Sequence, residues 1–73
     1  MAGKLPVLKP KKVIKALVRG GFEVHHVTGS HYIMKKVKRR VTVPYHNKDL
    51  NPRLLASIIM QSGLTVDEFL ALL

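Results

Sequence analysis

The chain has 73 residues, with 13 lysines and arginines against four acids, a net charge of +9 and no cysteine. One domain of this size buries only about 60% of the surface of its unfolded chain, which argues against a deep active-site cavity. The lack of cysteine excludes disulfides and thiolate metal sites and favours the cytoplasm. No apolar stretch has the length of a signal peptide or a membrane span. The excess positive charge indicates a polyanionic partner such as a nucleic acid.

In chain order, the first predicted element is an amphipathic helix that begins near Pro10. Residues 1–8 form a short basic lead-in, which we expect to be flexible. Proline suits the first turn of a helix because its missing N–H has no partner there. An apolar stripe at helical spacing follows, formed by Val13, Ile14, Leu17 and Val18. The glycines Gly20 and Gly21 then end the helix.

Three short strands are predicted next. The first runs from Phe22 to Thr28, and the tight turn Gly29-Ser30 separates it from a second strand, from His31 to about Lys36. A basic turn at Lys38-Arg39-Arg40 leads to a third strand, Val41-Thr42-Val43, which ends at a proline. The short links favour an antiparallel meander.

Two helices complete the chain. Asn51-Pro52 is a typical helix start, and Gly63 closes that helix. Thr65 and Glu68 have the spacing of a capping box that begins a short C-terminal helix. The order predicts an α+β fold, a two-layer sandwich with both long helices on one face of a three-stranded antiparallel sheet. This is the plan of double-stranded-RNA-binding domains.

Histidine is the side chain best suited to proton transfer near neutral pH, and the chain has four. His31 directly follows the Gly29-Ser30 turn, at the start of a strand, where a side chain is rigidly held yet accessible. The residues alone are also consistent with an ordinary surface or half-buried histidine. His46 is the better candidate for a second catalytic or phosphate-binding group, although it can also simply stabilise a turn.

RNA cleavage needs no metal in principle, because the 2′-OH of RNA supplies the nucleophile. The reaction requires a base, an acid and positive charge near the phosphorane. Only Glu23 and Asp49 lie outside the terminal helix as possible Mg²⁺ ligands. His25 and His26 are adjacent in a predicted strand, so we expect them on opposite faces as ordinary strand residues and not in a zinc site. We therefore predict no metal and no other cofactor.

The densest positive charge lies between the second and third strands and is the strongest candidate for a phosphate-binding patch. Each of its members is also explained as a solvated side chain. The cluster comprises Lys35, Lys36, Lys38, Arg39 and Arg40. Tyr32 and Tyr45 could stack on bases, but a packing role explains them equally well.

From about Lys11 to Leu72, the sequence resembles the HicA family of toxin–antitoxin mRNA interferases, also described as YcfA-like. Each motif alone is weak, but their order and spacing are specific. The motifs are Gly20-Gly21-Phe22, Thr28-Gly29-Ser30-His31, the segments 40–46, 49–50, 54–59 and 61–64, and Asp67-Glu68-Phe69.

This resemblance implies a fold like that of double-stranded-RNA-binding domains, ribonuclease activity on translated mRNA, and neutralisation by a HicB-type antitoxin. It implies that His31 is the catalytic histidine and that Gly29 and Ser30 form the turn that positions it. His46 matches a recurrent position of the family. The link over residues 35–39 departs from the Pro, Asp or Gly turn of many members. The resulting prediction is a cytoplasmic, metal-independent endoribonuclease toxin. Its oligomeric state is left open, and a monomer is favoured.

Two other functions remain open from the sequence. A non-catalytic RNA-binding domain of the same fold would leave the histidines structural, and a basic protein could serve mainly to pair with an acidic partner. The strand register is open as well. If Tyr32 and Met34 face the helices, then His31 faces outward, and the opposite register turns His31 towards the helices.

Overall fold

A computed structural model describes residues 5–45 and 48–73, and it confirms the predicted α+β order of a helix, three strands and two helices. The elements are α1 (Pro10–Arg19), β1 (Glu23–Thr28), β2 (His31–Lys36), β3 (Arg39–Pro44), α2 (Pro52–Ser62) and α3 (Val66–Ala71).

The strands form one antiparallel sheet in the order β1-β2-β3, so β2 is the central strand. Residues directly opposite each other on neighbouring strands share a face of the sheet. Met34 lies opposite Val41, and both are fully buried on the helix-covered face. The other face, called the outer face below, has no buried residue. It comprises Glu23, His26, Thr28, His31, Ile33, Lys35, Arg40, Thr42 and Pro44.

The core lies between the helix-covered face and the two long helices, as their apolar stripes predict. Burying an aliphatic or aromatic side chain of this kind stabilises the fold by about 1.5–3 kcal/mol. The buried apolar residues are Val13, Ala16, Leu17, Phe22, Met34, Val41, Val43, Leu50, Leu55, Ile58, Ile59 and Phe69. Because both helices pack on one side, the core fixes the sheet with its outer face towards solvent.

The helix ends confirm the capping signals of the sequence. The Asn51 side chain accepts a hydrogen bond from the Leu54 N–H at 2.8 Å. Thr65 and Glu68 form the complete capping box, each side chain accepting from the other residue's N–H. Gly63 ends α2 with a φ of 79°, a left-handed conformation that glycine adopts at little cost.

The last residues before α1 are held against the rest of the fold. The Leu50 N–H donates to the Leu8 carbonyl at 2.8 Å, and Leu5 and Leu8 pack against the core. The flexible lead-in predicted over residues 1–8 therefore does not extend through Leu8. Residues 1–4 lie outside the described residues.

The prediction that Arg39 and Arg40 belong to the turn was wrong, because both lie in β3. Lys36 pairs with Arg39 and Lys35 with Arg40, which leaves a two-residue turn of Val37 and Lys38. Neither residue is a usual turn former, so no local signal predicts a hairpin this tight. The reversal depends on Val37, which has a φ of 53°.

The two edges of the sheet differ. At the β3 edge, the Thr42 N–H donates to the Gln61 side-chain oxygen of α2 at 3.3 Å. At the β1 edge, no strand within the described ranges pairs with the side that faces away from β2. All six residues of β1 are exposed. One edge is thus covered by a helix and the other is open.

Candidate active site

His31 is the first residue of the central strand and lies between both neighbouring strands. Its backbone is opposite Thr28 of β1 and Pro44 of β3. Met34 is buried on the helix-covered face, and Tyr32 packs against the same core, so the alternation of β2 places His31 on the outer face. The imidazole is exposed there. Of the two registers left open by the sequence, the structure has the one in which His31 faces outward.

The Gly29-Ser30 turn sets the start of β2. Gly29 has a φ of 54°, and a Cβ built at this position would meet nothing within 4 Å. The backbone conformation, and not a lack of space, therefore favours glycine here. The Ser30 carbonyl accepts a hydrogen bond from the Tyr45 N–H, which ties the turn to the end of β3. The Ser30 hydroxyl lies 3.5 Å from His31 Nδ1.

A second histidine shares the outer face with His31. His26 lies opposite Ile33, whereas Thr28 lies opposite His31, so the two histidines are diagonal neighbours on adjacent strands. Diagonal neighbours have Cα atoms about 7–8 Å apart, within reach of aromatic side chains. The sequence alone predicts His26 to be an ordinary strand residue. The length of the Gly29-Ser30 turn was the available signal, because a two-residue turn places Thr28 opposite His31 and His26 diagonal to it.

His25 differs from His26 in its place in the sheet. The register of β1 shifts between Val24 and His26, and His25 has no residue opposite it on β2. Such an irregularity leaves one residue out of the ladder and bends the strand locally. His25 is exposed like its neighbours.

The basic cluster of the second hairpin is divided between the two faces of the sheet. Lys35 and Arg40 lie opposite each other on the outer face, at the far end of β2 from His31. Lys35 is four positions after His31, which corresponds to about 13 Å along a strand. Lys38 lies in the turn and is exposed.

The remaining two cations of the cluster contact the ends of helices. Lys36 Nζ donates to the Gly20 carbonyl at 2.7 Å, just after α1, and lies 5.8 Å from the centre of the Phe22 ring. The Arg39 guanidinium lies against Gly63, where it occupies the space that a Cβ would need. The structure therefore brings two of the five predicted phosphate-binding residues onto the face of His31 and gives Lys36 a structural contact.

The remaining site predictions concern His46, the two tyrosines and a metal site. His46 lies outside the described residues. The rings of Tyr32 and Tyr45 are 4.9 Å apart at their centres with an angle of 32° between their planes, so the two tyrosines pack on each other. In residues 5–45 and 48–73, no group of three His, Asp or Glu side chains could hold a metal ion.

Two further findings concern the chain as a whole. No helix of the described part of the chain is long and apolar enough to cross a membrane. Residues 10–64, which include the whole sheet and both long helices, match the model of a family described as the HicA toxin of bacterial toxin–antitoxin systems. No curated protein matches the chain.

Proposed function

The chain belongs to the HicA family of toxins of bacterial toxin–antitoxin systems, and we propose that it acts as a metal-independent endoribonuclease on mRNA. The observation that carries this proposal is the position of His31. Its exposed imidazole stands on the outer face, at the end of the central strand, where neighbouring strands hold its backbone on both sides. An open sheet face can receive a polymer that a small domain has no cavity to enclose.

The proposed reaction transfers the RNA phosphodiester to the neighbouring ribose oxygen. His31 accepts the proton of the 2′-OH, and the 2′-oxygen forms a bond to phosphorus as the bond from phosphorus to the 5′-oxygen breaks. The leaving 5′-oxygen takes up a proton. The products are an RNA end with a 2′,3′-cyclic phosphate and an RNA end with a free 5′-OH.

Lys35 and Arg40 are the cations of the second hairpin that support RNA binding on the face of His31. They lie opposite each other on the outer face, about 13 Å along β2 from the reacting group. At that distance they contact backbone phosphates away from the scissile bond and hold the RNA in register. Phosphate contacts of this kind provide affinity without base specificity.

The antitoxin, in this proposal, is a HicB-type protein that covers the outer face. An enzyme whose catalytic side chain is exposed on an open sheet face is inhibited most directly when a partner blocks that side chain. The net charge of +9 suits a partner surface rich in carboxylates. A structure of the complex tests this, and His31 left fully open to solvent would contradict steric inhibition.

The catalytic proposal is tested with the purified toxin and a synthetic mRNA fragment. The variant His31→Ala is expected to cleave about 10²–10⁴-fold more slowly, which is the usual contribution of a positioned proton-transfer group. The fold should survive, because His31 is exposed and outside the core; circular dichroism checks this. Wild-type cleavage should persist in EDTA and leave 2′,3′-cyclic or 3′-phosphate ends.

Three outcomes would contradict parts of this proposal. A folded His31→Ala variant that cleaves at the wild-type rate would remove His31 from the mechanism. Loss of wild-type activity in EDTA would exclude the metal-free reaction. RNA binding without any cleavage by the wild-type protein would instead indicate the non-catalytic RNA-binding domain that the sequence left open.

A further inference from the structure

We infer that His26 is the second catalytic residue of the proposed reaction and donates the proton that the leaving 5′-oxygen takes up. The inference rests on the proposed ribonuclease activity and adds a residue that the sequence motifs do not single out. It starts from the requirement that the reaction moves two protons at two different oxygens. One group must accept the proton of the 2′-OH while another supplies a proton to the 5′-oxygen.

The geometry of the outer face places a second imidazole where such a donor is needed. The attacking and leaving oxygens lie on opposite sides of the phosphorus, so the base and the acid must approach from different directions. His26 and His31 stand on adjacent strands as diagonal neighbours, with Cα atoms about 7–8 Å apart. Both side chains are exposed, so a phosphate can lie between them.

The local contacts are compatible with different roles for the two rings. Ser30 Oγ lies 3.5 Å from His31 Nδ1, and an Nδ1–H that donates to this hydroxyl leaves Nε2 with a free lone pair. That tautomer suits a base. Within the described ranges, no side chain holds the ring of His26, so it can turn towards the leaving group. A protonated His26 that gives up its proton, while His31 gains one, leaves the total number of protons unchanged.

The most direct test compares two leaving groups. An RNA oligonucleotide is prepared with either oxygen or sulfur as the bridging 5′ atom at a cleavage site mapped with the wild-type protein. A thiolate leaves without being protonated, so loss of the general acid matters only for the oxygen substrate. His26→Ala should therefore slow cleavage of the oxygen substrate about 10²–10⁴-fold and the sulfur substrate less than about tenfold.

Two matched variants complete the experiment. His31→Ala should slow both substrates to a similar extent, because the sulfur does not replace the base. His25→Ala removes the adjacent imidazole of the same strand, which lies outside the ladder, and should cleave both substrates at nearly the wild-type rate. His26→Gln provides a second test should the alanine variant fail to fold.

Each outcome supports or overturns the assignment. Equal loss on both substrates would show that His26 binds RNA or supports the strand and is not the acid. An unchanged rate for His26→Ala would remove it from the reaction, and rescue of His31→Ala by sulfur would reverse the roles. Failure of the wild-type protein to cleave either substrate would contradict the proposed function itself, a result that is separate from all of these.

Discussion

The two hairpin turns of the sheet have the same length and the same backbone reversal but different residues. The first turn uses Gly29 at a φ of 54°, and the second uses Val37 at a φ of 53°. Glycine adopts this conformation freely. For a residue with a Cβ the same conformation costs about 1–2 kcal/mol of stability, and β-branched residues are rarely found there. Val37 is 89% exposed, so its side chain buries too little apolar surface to offset the strain.

The strands on either side of the second turn constrain its backbone conformation. The pairs Lys36–Arg39 and Met34–Val41 continue the ladder up to the turn, and the second of these pairs is fully buried. Core packing therefore imposes the left-handed conformation on Val37. The turn that leads into His31 is relaxed, and the turn farthest from His31 is strained.

Placing valine in the relaxed turn should reduce both stability and RNA cleavage. Gly29→Val should lower the free energy of unfolding by about 0.5–1 kcal/mol, because the lower entropy of the unfolded chain offsets only part of the strain that Val37 also carries. RNA cleavage should fall as well, since the turn sets the start of β2. Denaturant unfolding and a cleavage assay measure the two effects. A stability equal to that of the wild type would show that the turn has changed its conformation.

The next prediction compares how the cations on the two faces of the second hairpin contribute to RNA binding. Replacing both Lys35 and Arg40 by glutamine should reduce the slope of log K against log salt by about 1.4, for two contacts on a single strand. Between about 50 and 200 mM salt, this slope difference corresponds to about a sevenfold change in relative affinity.

The matched double variant replaces Lys36 and Arg39, which lie on the other face of the sheet, by glutamine. Its slope should stay close to the wild-type slope, because these cations contact Gly20 and Gly63. Equal slope changes in the two double variants would show that RNA wraps around the hairpin and does not distinguish its faces.

The reverse substitution in the strained turn should have an effect of similar size and opposite sign on stability. Val37→Gly should raise the free energy of unfolding by about 0.5–1 kcal/mol, since the relief of strain exceeds the entropy that glycine adds to the unfolded chain. Cleavage should not change, because the turn lies at the far end of β2 from His31. A thermal unfolding midpoint below that of the wild type would contradict the proposed strain.

The smallest effect concerns the contact between the second hairpin and α1. Lys36→Met keeps the apolar stem but removes the hydrogen bond to the Gly20 carbonyl, and should lower stability by about 0.3–1 kcal/mol, as expected for a cation at a helix C-terminus. Lys38→Met, in the exposed turn, is the control and should leave stability within about 0.5 kcal/mol of the wild type. Equal losses in the two variants would assign the effect to net charge.

The helices and the first turn could be predicted because their signals are local. Pro10 marks a helix start through its fixed φ and missing N–H. Asn51 and the Thr65–Glu68 pair mark helix starts through hydrogen bonds within one turn of the chain. The second turn could not be predicted in the same way, because Val37 adopts its conformation only under the constraint of the ladder on both sides.

The candidate site could be predicted in part. The motif around His31 indicated the residue. The face of the sheet on which His31 lies depends on the strand register, which the sequence leaves open and the burial of Met34 determines. Arg39 and Arg40 were assigned to the turn, so their division between the two faces was missed. The proximity of His26 also depends on cross-strand register. The catalytic role of His31 stays a prediction until cleavage is measured.

The open edge of β1 has a consequence for how copies of this protein behave in solution. Unpaired backbone groups along an exposed strand can pair with the same strand of another molecule, and β1 also carries Val24 and Val27, each nearly half exposed. Mutual repulsion of the +9 chains opposes such pairing, but salt screens it beyond about 10 Å at 0.1 M. A polyanion that gathers several copies neutralises the same repulsion. Colloidal stability of the free protein therefore depends on the same positive charge that the proposed function uses to bind RNA.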